Sequence, residues 1–203
     1  FKAVVREAQK QDSAILPEDF FQMGPSQQLE HLSATEGSLE QVFFEDELAK
    51  NISETIRAMK HIQETNGEVA CNRYIISNNQ TALNVMQLFA MLKTLAFSNE
   101  LTVDIVPLFE TVSDLEASAQ VMKQLYENKN YREHLSKRNN QQTIMLGFSD
   151  GTKDGGYLMA NWAIFRAKEA LTELSRTYGI EVIFFDGRGG PPARGGGKTH
   201  QFY

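Results

Sequence analysis

The sequence contains a single cysteine, Cys71, among its 203 residues. One cysteine excludes an internal disulfide and a metal cluster held by several thiolates, and it is typical of a protein kept in a reducing compartment. The sequence also lacks any apolar run near the roughly 20 residues that a membrane-spanning helix needs, and no signal peptide is visible. We therefore expect a cytoplasmic protein that does not enter a membrane.

Basic residues are in the minority. The chain has 20 Lys and Arg against 26 Asp and Glu, which gives a net charge of -6. A net negative protein repels the phosphate backbone, which argues against nonspecific nucleic-acid binding as its main role. Hydrophobic residues make up 41% of the chain, which is enough for a sizeable core and argues against global disorder.

One segment near the C-terminal end combines many glycines with three of the 20 Lys and Arg residues. Residues 186–200, "DGRGGPPARGGGKTH", hold six of the 14 glycines together with Arg188, Arg194 and Lys198. Glycine lets the backbone approach a ligand closely, and the guanidinium group offers a fork of donors that matches phosphate or carboxylate. The segment predicts either a cradle for a small anion or a non-catalytic anion- or RNA-binding module that uses an Arg-Gly loop.

Four short apolar stretches predict β-strands separated by helices. They cover residues 74–78, 102–110, 143–150 and 181–188. Alternating strands and helices predict a parallel sheet with helices on the outside. Two α/β architectures fit this pattern, an open doubly wound sheet and part of a (β/α)8 barrel.

Two local patterns refine the predicted helices. An S-x-x-E capping box at Ser113 and Glu116 predicts the start of the helix after the second strand. The helix after the third strand is predicted to place five apolar side chains on one face: Leu158, Trp162, Phe165, Leu171 and Leu174.

An acidic residue ends each of the last three predicted strands. These residues are Glu110, Asp150 and Asp186, and Arg188 follows the last of them. The carboxyl ends of parallel strands lie at one edge of a sheet, so these side chains are expected to converge there. Two or more carboxylates form an oxygen site suited to Mg2+ or Mn2+. Alternatively, each acid caps the helix that follows its strand.

Three segments together resemble the phosphoenolpyruvate carboxylase family. They read "VPLFET", "MLGFSDGTKDGG" and "FFDGRGGPPARGGGKTH", in the family's order and spacing, and the resemblance runs from about Ile52 to the C-terminus. It implies a partial (β/α)8 TIM-type barrel of about four parallel strands with extra helices in residues 51–203, after a helical lead-in over residues 1–50. The family's chain is several times longer, so we expect an internal fragment that is inactive by itself.

The resemblance implies Mg2+- or Mn2+-dependent carboxylation of phosphoenolpyruvate by bicarbonate, which gives oxaloacetate and phosphate. Glu110 and Asp150 match the family's metal ligands. Arg188, with Gly189 and Gly190, matches the loop that holds the substrate phosphate. No nucleic-acid partner is implied, and the whole enzyme is expected to be a homo-oligomer, a tetramer.

Three further positions take catalytic roles from the resemblance. Lys153 matches the lysine that helps to place bicarbonate. Arg194 matches the second loop arginine, which acts in the carboxylation step of the reaction. Asp186 stands where many members of the family have histidine. Because aspartate is an anion near neutral pH, a degenerate relative that keeps the fold without the activity is a further interpretation.

Overall fold

A computed structural model describes residues 1–190, apart from the side chain of Asp154. Its seven α-helices are α1 (Lys2–Lys10), α2 (Pro25–Ser33), α3 (Glu47–Asn66), α4 (Ala82–Leu95), α5 (Val112–Glu127), α6 (Lys129–Lys137) and α7 (Ser149–Thr177). Its four strands are β1 (Arg73–Ile76), β2 (Asp104–Phe109), β3 (Gln141–Gly147) and β4 (Glu181–Gly187). Short 3-10 helices lie at Phe20–Gln22 and Glu68–Cys71.

The strands form one sheet whose spatial order, β1-β2-β3-β4, is also their order along the chain. β2 pairs parallel with β3, and β3 pairs parallel with β4. A doubly wound sheet reverses its strand order at a switch point, whereas a (β/α)8 barrel adds each strand beside the previous one. The order confirms the α/β class and favours the partial barrel.

The chain divides into two compact units. The first comprises Phe1–Tyr74 and Leu83–Asp104, and the second comprises Ile75–Ala82 with the described residues from Ile105 onward. The first unit therefore includes α3 and most of α4 as well as the N-terminal helices. A boundary between a lead-in and the barrel at residue 50 stays a prediction.

A buried carboxylate organises the first unit. Glu7 is 8% exposed, and its two carboxylate oxygens accept hydrogen bonds of 3.0 Å from the backbone N–H groups of Glu45 and Asp46. Asp46 is the N-cap of α3 and accepts a bond of 2.9 Å from the N–H of Ala49. These contacts fix where α3 begins, since a cap satisfies N–H groups that have no partner within the helix.

In the second unit, α7 turns a different face inward from the one that the sequence predicts. Leu158, Trp162 and Phe165 are 82%, 58% and 57% exposed, so the predicted apolar face is wrong at these three positions, whereas Leu171 is buried and Leu174 is half-buried. The residues that are buried along α7 are mostly small: Ala160, Ala163, Ala167, Leu171 and Ser175. Small side chains allow close packing against α5, and the alanines carry a weaker hydrophobic signal than the aromatic residues do.

The N-terminus of α5 is also shifted from the prediction. Its N-cap is Thr111, whose hydroxyl accepts a bond from the N–H of Asp114, while the Asp114 carboxylate accepts one from the N–H of Thr111. The capping box predicted at Ser113 and Glu116 therefore lies inside the helix. Thr111 with Asp114 and Ser113 with Glu116 have the same spacing of three residues, so the spacing alone does not distinguish them. The pair that caps the helix is the one nearer to the end of β2.

None of the helices within residues 1–190 combines the length and the apolar character that crossing a membrane requires.

Tyr126 joins α5 to α7 inside the second unit. It is 1% exposed, and its hydroxyl lies 3.2 Å from the Ser175 Oγ. Burial raises the pKa of Tyr126 from 10.0 to about 12, and the hydrogen bond with Ser175 offsets only part of that rise. The folded chain therefore holds this proton over a pH range in which the unfolded chain releases it.

This difference predicts a loss of stability at high pH. Because the unfolded state binds fewer protons between pH 10 and pH 12, the free energy of unfolding falls there, by up to about 1.4 kcal/mol per pH unit from this group. Chemical denaturation at pH 9 and pH 11 measures the fall, and we expect Tyr126→Phe to reduce it. Tyr157→Phe, at a tyrosine that is 53% exposed, is the matched control. Equal falls in the wild type and in Tyr126→Phe would contradict the prediction.

Candidate active site at the carboxyl edge of the sheet

Glu110 follows β2 and lies directly beside the end of β3. The register pairs Leu108 with Met145 and Phe109 with Leu146, so the next neighbours are Glu110 and Gly147. A Cβ atom at Gly147 would lie 3.0 Å from the Glu110 Cα and 3.4 Å from its Cγ. A glycine at this point allows the two strand ends to approach each other.

Two further segments contact Glu110. A Cβ atom at Gly151, in the first turns of α7, would lie 3.5 Å from the Glu110 carbonyl oxygen. The backbone N–H of Asn78, in the turn after β1, donates a hydrogen bond of 2.8 Å to the Glu110 Oε2. Glu110 is therefore held where the segments that follow β1, β2 and β3 meet.

Asp150 lies next to Gly151 and forms an ion pair with Lys153. The Lys153 Nζ donates to the Asp150 Oδ1 at 2.6 Å, and both side chains are substantially exposed. β3 ends at Gly147, so Asp150 lies in the first turn of α7 and not at the tip of the strand. The N-cap of α7 is Phe148, with no side-chain capping bond, so Asp150 does not cap the helix, although an acid in the first turn interacts favourably with the helix dipole.

A break in α7 separates this turn from the rest of the helix. Gly156 has φ 79° and ψ 170°, a backbone conformation that residues with a Cβ atom rarely adopt. The residues before it form a short helical segment of their own. That segment carries both Asp150 and Lys153.

Strand alternation places Asp186 on the side of β4 that faces α7. The register pairs Leu146 with Asp186 and Gly147 with Gly187, so these two pairs lie on opposite faces of the sheet. Leu146 is fully buried, and Lys168 of α7 reaches Asp186 from that side. Gly187 therefore lies on the same face as Glu110 and Gly147.

Two cations approach the Asp186 carboxylate. The Lys168 Nζ lies 2.7 Å from its Oδ1, and the Arg188 Nη2 lies 3.8 Å from its Oδ2. The backbone N–H of Arg188 also donates to the Asp186 carbonyl oxygen at 3.0 Å, which turns the chain sharply after β4. Lys168 was not singled out from the sequence, because no motif connects it with a residue 18 positions further along the chain.

The remaining predicted residues follow Arg188. Gly189 and Gly190 are described, and a Cβ atom at Gly190 would meet none of the described residues within 4 Å. Arg194 lies outside the described residues, as does the rest of the Arg-Gly segment. The structure thus brings Glu110 near the Asp150–Lys153 pair, and it holds Asp186 and Arg188 together at the end of β4.

The donor set at this edge consists of the carboxylates of Glu110 and Asp150. Within residues 1–190, no group of three or more His, Cys, Asp or Glu side chains is arranged to hold a metal ion. Mg2+ is commonly bound by one or two carboxylates, with waters and substrate oxygens completing its octahedron. A pair of carboxylates is therefore compatible with Mg2+ or Mn2+, provided that the other ligands come from solvent or substrate.

Comparison with known proteins identifies the family. The profile of the phosphoenolpyruvate carboxylase family matches residues 16–202. Proteins named phosphoenolpyruvate carboxylase from Corynebacterium diphtheriae, Nitrosomonas eutropha and Mycobacterium leprae are 44%, 40% and 39% identical to the chain over 62%, 72% and 76% of its length. The chain spans only 14%, 16% and 17% of the length of these relatives. With most of its residues matched by the family profile, the chain belongs to the phosphoenolpyruvate carboxylase family.

Proposed function

We propose that the protein containing this chain carboxylates phosphoenolpyruvate with bicarbonate, in a reaction that needs Mg2+ or Mn2+ and yields oxaloacetate and phosphate. The observation that carries the proposal is the position of Glu110, which lies against Gly147 and beside Gly151 at the carboxyl edge of the sheet. Asp150 is adjacent to that contact, and Arg188 leaves β4 at the same edge. The chain would supply part of the active site.

Glu110 and Asp150 would hold the metal ion. Each carboxylate uses one oxygen in its contact, with the Asn78 N–H or with Lys153, and a carboxylate has two oxygens. A bound divalent ion would offset the negative charge that develops on the enolate of pyruvate. Gly147 and Gly187 add no side chain of their own beside Glu110, and the space next to Gly187 is taken by the Met145 side chain, whose Cε would lie 2.8 Å from a Cβ atom there.

Arg188 would bind the substrate phosphate. Its side chain is 52% exposed, and at 3.8 Å its contact with Asp186 is loose, so its donors are accessible to a ligand. A guanidinium group binds phosphate through two parallel hydrogen bonds, which fixes the orientation of the phosphate. Gly189 and Gly190 would let the backbone approach the same group closely.

The proposed reaction proceeds in two halves. A bicarbonate oxygen attacks the phosphorus atom, the bond between phosphorus and the enol oxygen breaks, and carboxyphosphate and the enolate of pyruvate form. Carboxyphosphate then releases CO2 and phosphate, and the enolate carbon forms a bond with the CO2. Lys153 would place bicarbonate for the first half, and Arg194 would act in the second.

The other proposed properties concern the whole protein. Assembly into a homo-oligomer and a cytoplasmic location are proposals that rest on the family resemblance. The aspartate at position 186 gives the site a different charge from that of members with histidine there.

The metal site predicts that each of the two carboxylates is needed for ion binding. Glu110→Gln and Asp150→Asn keep the shape of each side chain and remove its charge. We expect each to weaken Mn2+ binding by about tenfold or more, because even the loss of a residue that only supports a metal ligand costs about 10- to 100-fold. Isothermal titration of the 203-residue chain with Mn2+ measures this loss. Glu169→Gln, at an exposed carboxylate that pairs with Arg166, is the matched control.

Two outcomes would contradict that prediction. Equal Mn2+ affinity in the wild type and in a variant that carries both Glu110→Gln and Asp150→Asn would exclude Glu110 and Asp150 as ligands. Metal-independent binding of RNA that weakens with salt and survives both substitutions would instead favour a binding module that uses the Arg-Gly loop.

Gly147→Ala tests the placement of Glu110 without altering any charge. The new methyl group would lie 3.0 Å from the Glu110 Cα and 3.2 Å from the Phe109 carbonyl oxygen, so the end of β2 must move. We expect weaker Mn2+ binding and a loss of about 1–3 kcal/mol in the free energy of unfolding, as overpacking usually costs. Gly24→Ala is the control, because among the described residues a Cβ atom there meets only the Gln27 Oε1, at 3.9 Å. Unchanged Mn2+ affinity in Gly147→Ala would show that the site does not depend on this contact.

A further inference from the structure

We infer that Lys168 is a positioning residue that keeps Arg188 available to the substrate by occupying Asp186. The inference rests on the proposed function, in which Arg188 binds the phosphate group of phosphoenolpyruvate. It concerns a residue on α7 that lies outside the motifs of the loop. Its basis is the arrangement of charges around a single carboxylate.

The two oxygens of Asp186 are directed at different cations. Oδ1 lies 2.7 Å from the Lys168 Nζ, a distance typical of a charge-assisted hydrogen bond, whereas Oδ2 lies 3.8 Å from the Arg188 Nη2. Lys168 is therefore the strong partner of Asp186, and Arg188 is the weak one. A close bidentate pair between Asp186 and Arg188 would occupy the same guanidinium N–H donors that a phosphate needs.

The position of Lys168 favours this division. Its ammonium group also lies 5.7 Å from the centroid of the Phe184 ring, two residues before Asp186 on the same face of β4. The side chains of Lys168 and Asp186 are only 34% and 36% exposed, so their attraction is less screened than that of a fully exposed pair. Phe184 and Asp186 together hold the ammonium group against the strand.

The backbone keeps Arg188 close to Asp186 in any case. The bond of 3.0 Å from the Arg188 N–H to the Asp186 carbonyl oxygen fixes a sharp turn between them. If Lys168 were absent, the carboxylate would be free to rotate toward the guanidinium group. Asp186 would then compete with the substrate phosphate for the same donors.

Kinetics of the whole protein that contains this chain test the inference. We expect Lys168→Gln to raise the KM for phosphoenolpyruvate by about two- to fivefold, the range that corresponds to the free energy of a single partly exposed ion pair, while kcat stays nearly unchanged. Lys168→Arg, which keeps the charge, should retain a KM near that of the wild type. Arg166→Gln is the matched control, because Arg166 lies on the same helix and pairs with Glu169.

The double variant Lys168→Gln/Asp186→Asn separates positioning from a purely structural role. If Lys168 acts by occupying Asp186, neutralising the carboxylate should restore the KM that Lys168→Gln raised. A KM in the double variant that is as high as in Lys168→Gln, or higher, would overturn the inference. Thermal unfolding of each variant checks that the protein is folded.

Arg188→Gln distinguishes failure of this inference from failure of the proposed function. If Arg188→Gln raises the KM strongly and Lys168→Gln does not, the inference is wrong and the role of Arg188 stands. If Arg188→Gln leaves the KM unchanged, Arg188 does not bind the substrate, and both the proposed role and the inference fail.

Discussion

The close approach of the ends of β2 and β3 at Gly147 is the constraint on which the candidate site depends. A backbone without a Cβ atom at this position lets Glu110 lie against the neighbouring strand, 3.0 Å from where that Cβ would be. Gly151 then packs beside the Glu110 carbonyl group, and this contact places the first turn of α7, with Asp150 and Lys153, next to Glu110. The site is thus assembled by backbone contacts of glycine, and its charged side chains are positioned as a consequence.

Strand alternation gives the acids at this edge different surroundings. Glu110 continues the face that carries Gly147 and Gly187, whereas Asp186 shares its face with Leu146 and meets α7. Gly147 and Gly187 allow close backbone approach on that face, and the Met145 side chain lies against Gly187. On the other face Asp186 finds Lys168, which suits an acid whose charge is taken up within the protein. The alternation of side chains along the strands therefore separates Glu110, which accepts a backbone N–H bond from Asn78, from Asp186, which is paired with Lys168.

The sequence predicts the strands well because each is a short apolar run followed by polar or glycine residues, and all four occur within a few residues of their predicted ranges. It predicts the face of α7 poorly. Trp162 and Phe165 have the strongest apolar signal in that helix, yet Ala163 and Ala167 are the residues buried there. Helix packing selects small residues when the partner helix lies close, and periodicity alone does not reveal how close that partner is. The Lys168–Asp186 pair was missed for the same reason, because it depends on tertiary packing and not on spacing.

The partners of the three acids also rank them as candidates for binding a cation. Asp150 is paired with Lys153 at 2.6 Å and Asp186 with Lys168 at 2.7 Å, so each of these pairs is close to neutral as a unit. The described partner of Glu110 is the N–H of Asn78, which is a dipole and leaves the net charge of the carboxylate uncompensated. A divalent cation gains most where a negative charge is held in place without being neutralised. On this reasoning the proposed metal ion would be held chiefly by Glu110, and Asp150 would contribute the carboxylate oxygen that its contact with Lys153 leaves free.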